Sequence, residues 1–194
     1  MEYRTPLREI SSLFKNLIMK IDQLAWSKND EFYTPDYAVL PILKYIKPNS
    51  VIWCPFDLPE SNFVKILTQN SHRVHASHII DWKDFFLMEP PSGTQYIISN
   101  PPYSRKTEVL ERLFSLKIPF AMLVGLSGLF ESQKRFDMFR VNQFEIMYLN
   151  RRVSYLDTQW SKMASINPPF PSVYICSRFL PEKIVFETIN KLWK

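Results

Sequence analysis

Tyr96-Ile97-Ile98-Ser99-Asn100-Pro101-Pro102-Tyr103 is an apolar run that stops at two prolines. Three large apolar residues bounded by turn formers read as a short buried strand. Consecutive prolines fix φ and remove two N–H donors. The residue before each proline is driven towards extended backbone. The loop is therefore stiff. Residues 106–116 follow it, with Val109, Leu110, Leu113 and Phe114 at helical spacing. A rigid polar loop thus joins a buried strand to an amphipathic helix.

The same alternation extends in both directions. Val51-Ile52-Trp53-Cys54, Val74-His75-Ala76, Phe120-Ala121-Met122-Leu123-Val124, residues 145–149 and residues 173–176 read as further strands. Residues 61–69 read as a helix, with Phe63, Val64, Ile66 and Leu67 apolar. Before the first strand, Thr34 is placed to cap a helix whose first turn accepts Pro35. Ala38, Val39, Ile42, Leu43 and Ile46 give that helix its apolar face, and Pro48-Asn49 ends it. Leu7, Ile10, Leu13, Phe14, Leu17, Ile18, Ile21 and Leu24 predict an N-terminal amphipathic helix within residues 1–28. Strands alternating with helices imply an α/β fold, a mostly parallel sheet flanked by helices. The last two strands, separated by a long irregular stretch, are expected to pair antiparallel as a hairpin edge. The chain is read as a single domain, 1–194, and ligands are expected beyond the carboxyl ends of the strands.

Composition narrows the chemistry. Of 194 residues only three are glycine, Gly93, Gly125 and Gly128. A glycine-rich phosphate cradle or dinucleotide fingerprint is therefore excluded. Cys54 and Cys176 both lie in apolar runs and read as buried thiols of a reducing compartment. His72, His75 and His78 fall on a strand and its exit, so no metal is expected. No apolar run approaches the roughly 18–20 residues needed to span a bilayer, no signal peptide is recognisable at the N-terminus, and a cytoplasmic location is expected. Residues 1–100 carry 10 Lys/Arg and 11 Asp/Glu, a net of −1, whereas residues 101–194 carry 14 and 8, a net of +6. A basic half points to a polyanionic partner.

Asn100-Pro101-Pro102-Tyr103 carries a recognisable chemistry. An amide oxygen and a main-chain carbonyl held side by side are two acceptors, and an exocyclic NH₂ offers two donors. Accepting both hydrogens directs the nitrogen lone pair at an electrophile and stabilises positive charge as it develops. Tyr103 adds an aromatic face for a planar base. A near-copy, Asn167-Pro168-Pro169-Phe170, follows no clear strand and reads as a loop on the substrate side.

Asn-Pro-Pro-Tyr after a strand resembles the catalytic motif of amino-methyltransferases, especially adenine-N6 DNA methyltransferases. Three further stretches resemble that family. Asp30-Glu31-Phe32-Tyr33-Thr34-Pro35 is similar to its N-terminal cofactor motif, Cys54-Pro55-Phe56 to its Asp-Pro-Phe, and Asp84-Phe85-Phe86 to the Asp-Phe beside the cofactor's adenine. The run from Asn100 through Glu111-Arg112-Leu113 resembles small methyltransferase-like proteins of bacteriophages. The resemblance covers roughly residues 30–180. It implies a Rossmann-like, S-adenosylmethionine-dependent methyltransferase fold. Asn100, Pro101, Pro102 and Tyr103 would then be catalytic, with the target base flipped onto Tyr103 because its amine is hidden inside a duplex. Phe32, Thr34 and Pro35 would border the methionine end of the cofactor. Asp84 and Phe85 would meet its adenine, and His78 would stand near the ribose.

The family's first motif continues with glycines, and here the chain departs from it. It reads Cys54-Pro55-Phe56-Asp57-Leu58-Pro59-Glu60-Ser61, with no acid at position 54 and with Leu58 and Glu60 where glycines belong. Asp57, Glu60 and Ser61 are the expected replacements. DNA contacts are expected from Arg105, Lys106, Lys134, Arg135, Arg151 and Arg152, with residues 127–171 as the candidate recognition segment. Phe130, Phe136, Phe139, Tyr155 and Trp160 read as core or as base-stacking groups. Two other readings share these residues: a nucleic-acid-binding module that kept the fold without turnover, and a methyltransferase acting on RNA or a protein glutamine.

Overall fold

The computed structural model describes residues 33–158 and 167–190. The expected helix within 1–28, Phe32 and Trp160 lie outside the described residues. The described elements are α1 (Asp36–Val39) running into a 3-10 turn (Leu40–Tyr45), β1 (Val51–Cys54), α2 (Asn62–Gln69), β2 (Arg73–Ala76), a 3-10 turn (Ile79–Asp81), β3 (Tyr96–Ser99), a 3-10 turn (Tyr103–Arg105), α3 (Lys106–Leu116), β4 (Phe120–Gly125), α4 (Gln133–Val141), β5 (Glu145–Leu149), β6 (Ser172–Ser177) and β7 (Ile184–Glu187).

The seven strands form one sheet in the order β2-β1-β3-β4-β6-β5-β7. All pairs are parallel except β4–β6 and β5–β6. Only β6 runs against the others. The antiparallel pair is present, but it is not the edge: β6 is inserted between β4 and β5, and β7 closes that side. The sequence reading has no strand at β7.

Alternation along the strands divides the core into two layers. Ile52, Cys54, Ile98, Ala121, Leu123, Met147, Tyr174 and Cys176 face α1 and α2. Trp53, Ile97, Phe120, Met122, Val124, Val173 and Ile175 face α3 and α4. β3, β4 and β6 are buried along their whole length, which is why they are legible as continuous apolar runs. Each such large side chain removed from water contributes about 1.5–3 kcal/mol.

The helix after Thr34 differs from the expected one. α1 has Pro35 at its N-cap and no side-chain cap, so Thr34 does not cap it. The helix becomes 3-10 after one turn because Pro41 lacks the N–H for an i−4 bond and its ring crowds the preceding carbonyl.

Candidate active site

In this strand order the chain goes from β1 outward to β2 and then returns to β3 on the other side of β1. The crevice between β1 and β3 is the switch point at which open α/β sheets receive ligands. β1 delivers Cys54-Pro55-Phe56-Asp57 to it, and β3 delivers Ser99 and Asn100.

The two exits are tied together. Ser99 Oγ donates to Asp57 Oδ2, and both residues are buried. The Asp57 N–H donates to Ser77 O at 3.2 Å, and the Ser77 N–H to Cys54 O at 3.0 Å. Ser61 caps α2 by accepting from Val64 N at 3.2 Å, and its hydroxyl also reaches Asp57. Asp57 is thus a pin beneath the loop. Burial pushes its carboxyl up to about 6, while the hydroxyls of Ser99 and Ser61 pull the other way.

The sign of the stability effect follows. The folded carboxyl holds its proton more tightly than the unfolded one, so folding is penalised above about pH 6 and relieved as pH falls towards 4. A separation of about two pH units corresponds to about 3 kcal/mol. Asp57→Asn is expected to flatten the stability curve between pH 3 and pH 7 by roughly that amount. Thermal melts of both proteins across the range test this, and parallel curves would refute it.

Asn100 is half-buried and Pro101 is buried at the end of β3. Pro102 starts the 3-10 turn that carries Tyr103. The Tyr103 hydroxyl donates to Tyr155 Oη at 2.9 Å, and Tyr155 Oη lies 2.8 Å from Ser172 Oγ. Burial raises the Tyr155 hydroxyl to about 12, so it stays a neutral partner. Phe170 of the near-copy meets Tyr103 edge to face, with centroids 5.7 Å apart. Gly125 is needed there, because a Cβ would stand 2.5 Å from the Phe170 ring. Asn167 Oδ1 accepts from Ser154 Oγ at 2.5 Å. The near-copy is therefore a wall beside the first tetrapeptide. The sequence reading places Phe170 in a substrate-side loop but not its contact with Tyr103, and it has neither Ser99 nor the positioning role of Tyr155.

Thr34 borders the same end. Its main-chain oxygen accepts from Asn62 Nδ2 at 2.9 Å, and its buried hydroxyl has no hydrogen-bond partner among the described residues. Pro35 is buried beside it. On the other flank Asp84 Oδ1 accepts from Phe86 N at 2.9 Å. Phe85 is only 2% exposed, packed on Trp53 at 5.5 Å and Phe56 at 4.9 Å. It is a floor under Phe56 rather than an open face. His78 accepts from Ile80 N at 3.2 Å and caps its 3-10 turn.

The cations divide into two groups. Arg135 is committed at Nε to Leu129 O, at Nη1 to Thr107 Oγ1 and at Nη2 to Gly128 O. Lys106 donates to Ser127 O at 2.9 Å. Arg105 lies 3.8 Å over the Phe86 ring. In the structure these three side chains are engaged within the fold. Lys134 is exposed, in an ion pair with Glu111 at 2.9 Å. Arg151 and Arg152 are exposed just beyond β5, at the same end of the sheet as the tetrapeptide. Phe139 and Tyr155 are core, whereas Phe130 and Phe136 are exposed. Among the described residues no group of His, Cys, Asp or Glu could hold a metal ion, and no helix is long and apolar enough to cross a membrane.

No protein-family model matches the chain, and no curated protein matches it by sequence. Among solved structures it aligns with a protein described as the modification subunit of a type I restriction enzyme from Vibrio vulnificus YJ016. The TM-score is 0.46 and the identity 12%, over 95% of this chain and 52% of that one. The chain therefore spans about half the length of that subunit.

Proposed function

We propose that this chain transfers a methyl group from S-adenosylmethionine to the exocyclic N6 amine of adenine in DNA. The observation that carries this reading is the exit of Asn100-Pro101-Pro102-Tyr103 from β3 at the switch point, with the β1 exit hydrogen-bonded alongside through Ser99 and Asp57.

The residues present fit the cofactor. Thr34 has a buried hydroxyl with no partner among the described residues, as a ligand-facing donor would. Phe32, Thr34 and Pro35 would border the methionine end. Cys54, Pro55 and Phe56 would line the middle, and Asp84 would accept from the adenine amine. S-adenosylmethionine supplies an electrophilic methyl group on a sulfonium. The Asn100 amide oxygen and a neighbouring main-chain carbonyl accept the two amine hydrogens and leave the nitrogen lone pair directed outward. As the nitrogen gains positive charge, those oxygens stabilise it without reorganising. Tyr103, held by Tyr155 and backed by Phe170, offers its ring to a base taken out of the stack. Arg151, Arg152 and Lys134 are the cations best exposed for phosphate.

Calorimetry with S-adenosylmethionine and S-adenosylhomocysteine, followed by nucleoside analysis of unmethylated DNA after incubation, tests the reading. Saturable binding and N6-methyladenine are expected. No binding at high micromolar ligand would sink it. One observation favours a second reading, a DNA-binding module without turnover. The loop after β1 has no glycine and is closed by the Asp57–Ser77 and Ser61–Val64 hydrogen bonds. That module would bind DNA with steep salt dependence and ignore the cofactor.

A further inference from the structure

The last strand leaves a bare edge and a bare face. β7 pairs with β5 in parallel, with Ile146 opposite Ile184 and Tyr148 opposite Phe186. The Ile146 N–H donates to Lys183 O at 2.8 Å, and the Asn150 N–H to Glu187 O at 3.0 Å. By the alternation of a parallel ladder, the N–H and C=O groups of Ile184 and Phe186 therefore point away from β5. Among the described residues no strand pairs with that outer edge. On one face of the same strands Ile184 is 54% exposed, Phe186 76% and Tyr148 42%, with the Tyr148 and Phe186 rings 6.0 Å apart. The edge carries no proline or bulge to block pairing.

We infer that β7 is a homodimer interface, pairing antiparallel with β7 of a second copy about a two-fold axis at Val185. The sequence Lys183-Ile184-Val185-Phe186-Glu187 is self-complementary in that arrangement. Ile184 opposes Phe186 of the other copy twice, an aromatic–β-branched pair, and the four outward main-chain groups of each copy find partners. Lys183 opposes the other copy's Glu187, whose carboxylate already accepts from Tyr45 and pairs with Lys44 at 2.6 Å. The charge match holds only in the antiparallel register, and the isologous contact closes on itself. Both sheets then become one, and the two apolar stripes become continuous.

Sedimentation velocity on the full chain across the micromolar range tests this. A species of twice the chain mass is expected. Phe186→Lys should raise the dissociation constant at least about tenfold, since it puts a charge in each stripe. Phe186→Pro removes the ring and an outward N–H but no N–H of the ladder to β5, and should also yield monomer with unchanged circular dichroism. A monomeric wild type at every concentration, or a dimer that persists undiminished in Phe186→Lys, would overturn the proposal.

Discussion

Under the proposed methyl-transfer reading, Asn100→Ala is expected to cut the single-turnover rate by about 10²–10³-fold, the usual cost of removing one fixed group that meets developing charge. The reason is differential. The target amine is nearly neutral before reaction and cationic afterwards, so an oxygen aimed at its hydrogens stabilises the transition state more than the ground state. Substrate affinity should change far less than the rate. The fold should survive, because Asn100 is half-buried and lies outside β3. Asn100→Asp keeps an acceptor oxygen in nearly the same place and should retain part of the activity. Rapid-quench measurement with enzyme in excess over DNA separates rate from affinity. Equal rates for wild type and Asn100→Ala would remove the residue from the chemistry.

What was legible in the sequence follows the range of the physics involved. β1 and β5 have the bounds read from the sequence, and α3 spans the expected residues. Burial imposes a pattern on adjacent residues. β7 escaped because only one of its faces is covered: Val185 packs against the core while Ile184 and Phe186 do not. Four residues with half a pattern leave little to read. The position of β6 between β4 and β5 escaped for another reason. Strand order depends on which edges meet in space, and no local window contains it.

The site divides in the same way. The tetrapeptide is one covalent stretch, so its stiffness and its acceptors could be read directly. The Ser99–Asp57 bond joins residues 42 positions apart, and Asp57 looked like a stand-in cofactor ligand because it follows the vacated acid position. Its burial shows it pinning β1 to β3. Phe170 was visible as a letter in the near-copy, but its contact with Tyr103 depends on the path of β6. The basic residues show the limit of charge counting. Arg135 is counted with the phosphate-facing cations by type alone, yet its guanidinium is spent on Leu129, Thr107 and Gly128.

Glu145→Ala is expected to cost about 3–5 kcal/mol of stability, more than any surface change considered above. Glu145 opens β5 and is 2% exposed. Oε1 accepts from Arg178 N at 2.8 Å, and Oε2 from Phe179 N at 3.0 Å and Leu180 N at 3.1 Å. Gln143 Nε2 adds a further bond at 3.2 Å. One carboxylate therefore satisfies three consecutive main-chain donors in the turn between β6 and β7, where Arg178 has a φ of 53°. Alanine leaves those donors without an acceptor, and Phe179 and Leu180 are buried, so water cannot easily replace it. Against a total stability of about 5–15 kcal/mol, the loss is a large share, and at about 2–4 °C per kcal/mol the melting point should fall by about 10 °C. Glu145→Gln keeps one acceptor but turns an NH₂ towards the donors, so it should recover only part. Because this turn sets the path of β7, Glu145→Ala should also weaken the proposed β7 edge contact, whereas Phe186→Lys should break it without lowering the melting point of the monomer. Urea denaturation of the three variants separates the two effects. A Glu145→Ala protein within about 1 kcal/mol of wild type would mean that the turn is held by its packing and not by the carboxylate.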